Sequence, residues 1–387
     1  MSVFDDLVGQ RSVRDQLERA ALAARSTGGP SENSAMSQAW LFTGPPGSGR
    51  SVAARMFAAA LECTSDVPGC GECHACKTVM GGTHPDVEVV ATQGVTISVD
   101  QTRQLVSRSF VSPGAGRWRI LIVEDADRMS ERTTNVLLKA IEEPPPFTVW
   151  MLCTPSPEDV MTTIRSRCRV LTLAVPRAED IAELLVRRLG VNSEDAIMAA
   201  RASQSHIGVA RALLTDQAVR EQRRAVIHMA LSVRGVADAA LGAKRVMAAA
   251  EAEVKERSEQ LDARELADLK RSLGVDEGAR VPPAIRAQLR ELAENQKRRQ
   301  TRLRRDSIDR AMVTILSAYR DVLTVQLGAA VELVNSDFTE DVFRMARGSS
   351  AAQSVERMDA IAQARIRLAA NADPLLTTEA MLVALRP

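Results

Sequence analysis

Aromatic side chains are scarce in this chain of 387 residues: Phe, Trp and Tyr together make up 3% of it, with a single tyrosine. An all-β core draws on aromatic and β-branched residues for its inner faces, so that composition argues against a sandwich or barrel. Alanine, leucine and arginine are plentiful instead, a mixture suited to helices packed on helices. An excess of one charge is also missing. Lys and Arg number 50 against 49 Asp and Glu, a net charge of +1. No whole-molecule field therefore drives the chain onto nucleic acid, and such contact has to come from a local patch. No apolar run is long enough to span a bilayer. Met1 to Gln10 is acidic without an apolar core and is not expected to be a signal peptide. The expectation is a soluble, cytoplasmic protein with no membrane contact, whose cysteines are thiolates or metal ligands before they are disulfides. The length exceeds one ordinary core and suggests two or three domains.

What is present begins with Phe4, Leu7, Val8, Val13, Leu17 and Leu22, a short entry and an amphipathic helix. A loop is expected over 26–37. Trp40-Leu41-Phe42-Thr43 reads as a strand, Val52 to Ala58 as a helix, and Val87 to Val90 as a second strand. Val99 to Val106 reads as a helix with Asp100 as its cap. Arg119 to Val123 is a strand apolar on both faces, as a parallel sheet flanked by helices requires. Ser130 opens a helix closed by Pro144-Pro145-Pro146, and Thr148 to Cys153 and Val170 to Leu173 are further strands. The pattern predicts an α/β domain over 1–175. After Pro176 strand signals vanish: a small helical segment to about Asp216 precedes long helices over 217–387. Ile308, Met312, Ile315, Leu316, Tyr319 and Leu323 share one helical face between Asp306 and Leu327. Residues 250–305 are highly charged, broken by Gly274 and Pro282-Pro283, and end in six cations between Lys297 and Arg305. Solvated helix surface is the plain reading of such a run, and a phosphate-contacting patch is the alternative.

Four constellations carry chemistry. Between the first strand and its helix, Gly44-Pro45-Pro46-Gly47-Ser48-Gly49-Arg50-Ser51 meets the phosphate-loop pattern G-x-x-x-x-G-K-[ST] everywhere except the lysine. Loop amides and a helix N-terminus can enclose phosphate there, and the Ser51 hydroxyl can face Mg²⁺. Arg50 is a planar fork where the chemistry asks for a compact ammonium, so binding of ATP with Mg²⁺ is in doubt and hydrolysis by this chain alone is not expected. Cys63, Cys70, Cys73 and Cys76, spaced C-x6-C-x2-C-x2-C with Gly69 and Gly71 between them, predict a structural zinc site with four thiolates, His74 standing by. The acids after the central strand are Glu124-Asp125, where Asp then Glu is the order that holds Mg²⁺ and polarises water. Either each position carries an acid of the wrong length, or the register shifts by one and Asp125 becomes the metal residue. A one-residue shift changes faces, which favours the first. Ser166-Arg167-Cys168 precedes the last strand. An arginine at that edge can reach a neighbouring subunit's phosphates; Arg165, Arg167 and Arg169 can equally be surface residues.

Taken with Val8-Gly9-Gln10, Asn135-Val136-Leu137-Leu138-Lys139-Ala140-Ile141-Glu142-Glu143-Pro144-Pro145 and His206 to Ala212, these motifs resemble the bacterial clamp-loader subunits of the AAA+ class, and within them the delta-prime type. The likeness covers about 1–215. It implies a parallel-sheet AAA+ domain (1–175) with an inserted zinc module (63–76), a small helical lid (176–216) and an all-α collar (217–387). It makes Thr154 the counterpart of a sensor, Arg211 that of the second-domain sensor arginine, and Arg167 a finger acting in trans. The degenerate nucleotide site would comprise Gly44, Gly47, Gly49, Arg50, Ser51, Glu124, Asp125, Thr154 and Arg211. Partners implied are gamma/tau and delta subunits in a heteropentamer, part of the DNA polymerase III holoenzyme, with the sliding clamp and primer–template DNA reached through the assembly. Arg50 and Glu124-Asp125, and the lack of a tau-like tail, favour a non-hydrolysing stator over two alternatives: a gamma/tau-like motor, and a zinc-dependent nucleic-acid binder with a vestigial ATPase fold.

Overall fold

The computed structural model describes residues 2–26, 35–90, 97–273 and 283–386. Most of the loop expected over 26–37, and Gly274 and Pro282 of the expected break, lie outside them. The chain divides into two compact units, 1–211 and 212–387.

The first unit runs α1 (Arg11–Ser26), β1 (Ala39–Thr43), α2 (Arg50–Glu62), α3 (His74–Met80), β2 (Val87–Val90), α4 (Val99–Ser109), β3 (Arg119–Val123), α5 (Glu131–Glu142), β4 (Thr148–Thr154), α6 (Thr162–Arg165) and β5 (Arg169–Thr172), then α7 (Ala178–Leu189), α8 (Ser193–Ala202) and α9 (Ile207–Thr215). The strands form one parallel sheet in the order β2-β3-β4-β1-β5, an α/β arrangement with a separate core on each face. Every residue of β1 is buried, because its two faces enter different cores. Trp40 and Phe42 pack with Phe57, Ile120 and Ile122 on one side; Leu41 packs with Leu121, Leu137, Trp150 and Leu152 on the other. Five buried alanines of α2 (Ala53, Ala54, Ala58, Ala59, Ala60) let it lie close on the sheet. The few aromatics are concentrated here, Trp40 meeting Phe57 edge to face at 4.9 Å.

Three details depart from expectation. The cap of α4 is Ser98, not Asp100: the Ser98 hydroxyl accepts from the Gln101 amide at 3.2 Å and the Gln101 side chain accepts from the Ser98 amide at 3.0 Å. A serine with glutamine three residues on closes both orphan donors, which an aspartate already inside the first turn does not; Asp100 pairs with Arg103 instead. Leu22 is 52% exposed, one step off the apolar face of α1. The last strand begins one residue early, at Arg169, and Leu173 follows it, buried.

Among the described residues the second unit is built of helices: α10 (Gln217–Ser232), α11 (Val236–Ser272), α12 (Pro283–Gln326), α13 (Thr339–Gly348), α14 (Ala351–Ala369) and α15 (Pro374–Ala384). The division from the first unit falls inside α9. Ile308, Met312, Ile315 and Tyr319 of α12 are fully buried among α10, α11, α14 and α15, with Leu316 at the margin. The Tyr319 hydroxyl donates to the carbonyls of Ala230 at 3.2 Å and Leu385 at 3.4 Å. The helix carrying this face starts at Pro283 and is 44 residues long, so the described part of the charged run falls on the second half of α11 and the N-terminal half of α12. There Arg299 forks onto Glu265 of α11 at 2.7 and 2.8 Å and onto Asp262, Arg302 pairs with Asp306 at 3.6 Å, and Arg304 pairs with Glu251 at 4.0 Å. Several of the cations are thus neutralised by the chain itself, as a solvated helix pair requires.

In the first unit Glu62 ends α2, 2% exposed, and accepts from the amides of Arg117 at 2.8 Å and Trp118 at 3.0 Å. Burial outweighs those two bonds and pushes its pKa up to about 7. A carboxyl held above its unfolded value contributes stability that is complete below about 4.5 and lost as pH rises through about 7. Glu62→Gln keeps an acceptor oxygen and removes the titration. Its melting temperature should therefore fall less than the wild type's between pH 5 and pH 8; equal falls would contradict this.

Candidate functional site

The C-terminal edge of the sheet collects the loop after β1, the acids after β3 and the end of β4, the edge at which open parallel sheets bind ligands. In the loop, Gly44 has φ +147°, and a Cβ there would lie 2.5 Å from the Leu173 carbonyl and 2.8 Å from Ser48 Oγ. Only glycine fits. Gly47 lies under His206, the residue before α9, whose Cα would be 3.1 Å from a Cβ, whereas Gly49 faces open space. Ser48 Oγ is buried with no partner.

Arg50 is the first residue of α2, where the helix dipole disfavours a cation. Its side chain turns back and donates from Nη1 to the Gly44 carbonyl. Burial lowers its pKa, against the attraction of Asp127 and Asp125 among others. The cation thus satisfies its own loop. Ser51 lies within hydrogen-bonding reach of the Cys153 thiol, which burial pushes up to about 12; Cys153 is the small buried residue its strand predicts.

On β3, Ile122 faces the α2 side, so Glu124, two residues on, faces the same way. There Arg55 of α2 takes its carboxylate at 3.2 Å. Asp125 leaves the strand with φ +58°. Asp127 is drawn inward: its Oδ1 is buried without a partner, and burial raises its pKa. Thr154, fully buried opposite Thr43, donates to the Ser156 carbonyl at 2.9 Å. Arg211 is an exposed residue of α9. This donor set does not fit a hydrolysing site for ATP with Mg²⁺: the cation is directed at Gly44 and the first acid is engaged by Arg55.

The four cysteines converge where two helices meet. Cys63 follows the last residue of α2; Cys73 caps α3 and Cys76 is in its first turn. Their sulfurs lie within 4.8 Å of one another, and Cys63 and Cys73 Sγ are 3.9 Å apart, near the roughly 3.8 Å that tetrahedral Zn–S bonds of about 2.3 Å require. Gly69 has φ +76°, and a Cβ there would meet Val3 at 2.8 Å. Ser65 donates to Cys70 at 3.1 Å and the Cys73 amide at 3.3 Å, lowering the Cys70 pKa to about 6. The Cys76 amide donates to Cys73 at 3.4 Å. Such N–H···S and O–H···S bonds favour thiolates. Burial, together with the neighbouring Cys73 and Cys63, pushes Cys76 up, a cost that a bound cation would offset. His74 is exposed and outside the cluster. The set fits a metal ion.

Arg167 lies just past α6. Its Nε is 2.7 Å from Glu142 Oε1, and its Nη1 donates to the Thr163 carbonyl at 2.7 Å. The side chain is 41% exposed.

Sequence reasoning missed Arg55, Asp127, His206 and Glu142 as neighbours of these groups, and Arg25 of α1. Arg25 donates to the carbonyls of Cys63 at 2.7 Å, Ser65 at 2.5 Å and Asp66 at 2.8 Å, fastening the cysteine loop. Asp127 had a signal, an acid two residues after Asp125; the others are brought in from distant elements.

Among known proteins, residues 29–177 match the family described as DNA polymerase III, delta subunit. DNA polymerase III subunit delta' of Pseudomonas aeruginosa is 34% identical over 49% of this chain and 59% of its own length. Subunit delta' of Escherichia coli is 36% identical over 37% of this chain and 44% of its own. Subunit gamma/tau of Mycobacterium tuberculosis is 32% identical over 50% of this chain and 33% of its own. The chain thus spans 59% or less of the length of these relatives. A DNA polymerase III gamma subunit-related protein from Thermotoga maritima overlays 96% of this chain and 99% of its own, at 18% identity and a TM-score of 0.45. Residues 29–177, which carry the whole parallel sheet, are thus similar to the DNA polymerase III delta-subunit family.

Proposed function

We propose that the protein is a delta-prime-type subunit of a bacterial clamp loader: a cytoplasmic, non-hydrolysing stator that assembles with gamma/tau and delta subunits and helps place a sliding clamp on primed DNA. The observation that carries this reading is the contrast between two arginines. Arg50 is half-buried and spent on the carbonyl of its own phosphate-type loop, while Arg167 stands at the surface, engaged through Nε and Nη1. The first removes this chain's own phosphate chemistry, and the second is available to complete a neighbour's. The capture of Glu124 by Arg55 acts in the same direction. The gamma/tau relatives raise a second reading, a motor that hydrolyses ATP itself, which the Arg50 contact disfavours. In the proposal Cys63, Cys70, Cys73 and Cys76 hold one structural Zn²⁺; four thiolates leave no open position for chemistry.

In a loader reconstituted from this chain with gamma/tau and delta, Arg167→Ala should abolish DNA-stimulated ATP hydrolysis, and Arg50→Ala should barely change it. A rate indifferent to Arg167→Ala refutes the finger assignment. Elemental analysis of the purified protein should give one zinc per chain. Substituting Ser for both Cys70 and Cys73 should remove the metal and lower the melting temperature, because site formation is coupled to folding. A full complement of zinc in that variant would exclude the four-cysteine site.

A further inference from the structure

Glu142 is the last residue of α5, and Glu143 follows it. The C-terminus of a helix carries the negative end of its dipole, so a carboxylate there is disfavoured, and two in succession repel each other. Helix stability does not ask for an acid at this position. What Glu142 does contact is Arg167, Oε1 to Nε at 2.7 Å. The guanidinium is also held by the Thr163 carbonyl at 2.7 Å and by Ser166 Oγ at 3.3 Å, both through Nη1. Nε and Nη1 are thus engaged, and the Nη2 hydrogens take no bond among those contacts. Nε–H and Nη1 lie on different edges of the planar fork with Nη2 shared between them, so holding both fixes the direction in which Nη2 points. The two motifs that sequence reading placed far apart, the helix ending in Glu-Glu-Pro-Pro and the Ser-Arg-Cys turn, meet at this pair.

We infer that Glu142 is a positioning residue for Arg167: its carboxylate orients the guanidinium so that Nη2 faces a phosphoryl group bound by an adjacent subunit. This rests on the reading of Arg167 as a finger acting in trans. Without Glu142 the arginine keeps its charge and reach but samples more rotamers, and ordering it falls on the transition state. The neighbour's affinity for ground-state ATP is untouched, so the effect is on kcat rather than KM.

The test uses the reconstituted loader with wild type, Arg167→Ala, Glu142→Ala and Glu142→Gln, reading DNA-stimulated ATP hydrolysis across ATP concentrations and the melting temperature of each isolated chain. Glu142→Ala should lower kcat by up to about fivefold, the upper end of what an exposed ion pair is worth, with KM unchanged and a melting temperature equal to or above the wild type's. Glu142→Gln, which keeps an acceptor oxygen for Nε, should retain most of the rate. If Arg167→Ala is inactive but Glu142→Ala runs at the wild-type rate, the positioning role is wrong and the finger stands. If Arg167→Ala is itself without effect, the finger reading fails and the inference with it. If Glu142→Ala and Glu142→Gln slow equally and both melt lower, the residue is merely structural and the inference is overturned.

Discussion

The hydrogen bond from the Arg50 guanidinium to the Gly44 carbonyl is the contact that sets the character of the molecule. A phosphate loop works because its amides and one flexible ammonium point into an empty cradle at a helix N-terminus. Here the cradle's glycine geometry is intact, with Gly44, Gly47 and Gly49 all at positive φ, but the charge meant for a ligand is committed to the backbone. A half-buried guanidinium without a partner would be costly, so the bond to Gly44 helps make an arginine tolerable at this position. The same bond makes the loop self-sufficient.

Around that loop the neighbouring groups follow the same logic. Glu124 is matched to Arg55, and Thr154 to its own turn through Ser156. Three polar groups aimed at the strand edge thus have intrachain partners. The surface end of the domain differs: Arg167 is held through Nε and Nη1 and is 41% exposed. The sheet that buries β1 on both faces links the two arginines, since β5 starts two residues after Arg167 and pairs with β1.

The fold was legible in the sequence where periodicity was strong. The two-sided apolar strands and the alanine-rich helix after the loop were readable because burial on both faces leaves no polar alternation. The clustering of the four cysteines was readable because they fall in one short stretch, 63–76. The Asp100 cap was misplaced since Ser98 and Gln101 form a reciprocal pair that a single-residue rule overlooks, and Leu22 since an apolar count does not fix the edge of a helical face. The partners of the functional side chains were not legible. Arg55, His206 and Glu142 reach their contacts from other elements, across distances in sequence that no local pattern encodes. The charged run before Arg305 was ambiguous for the same reason, because its opposing acids Asp262 and Glu265 sit on the facing helix.

The most direct measurement is a calorimetric titration of ATP with Mg²⁺, and separately of ADP, into the isolated protein and into Arg50→Lys. A loop closed by its own arginine predicts no binding to the wild type at micromolar nucleotide, with affinity gained in the lysine variant. Micromolar affinity of the wild type for ATP, accompanied by release of phosphate, would contradict the account.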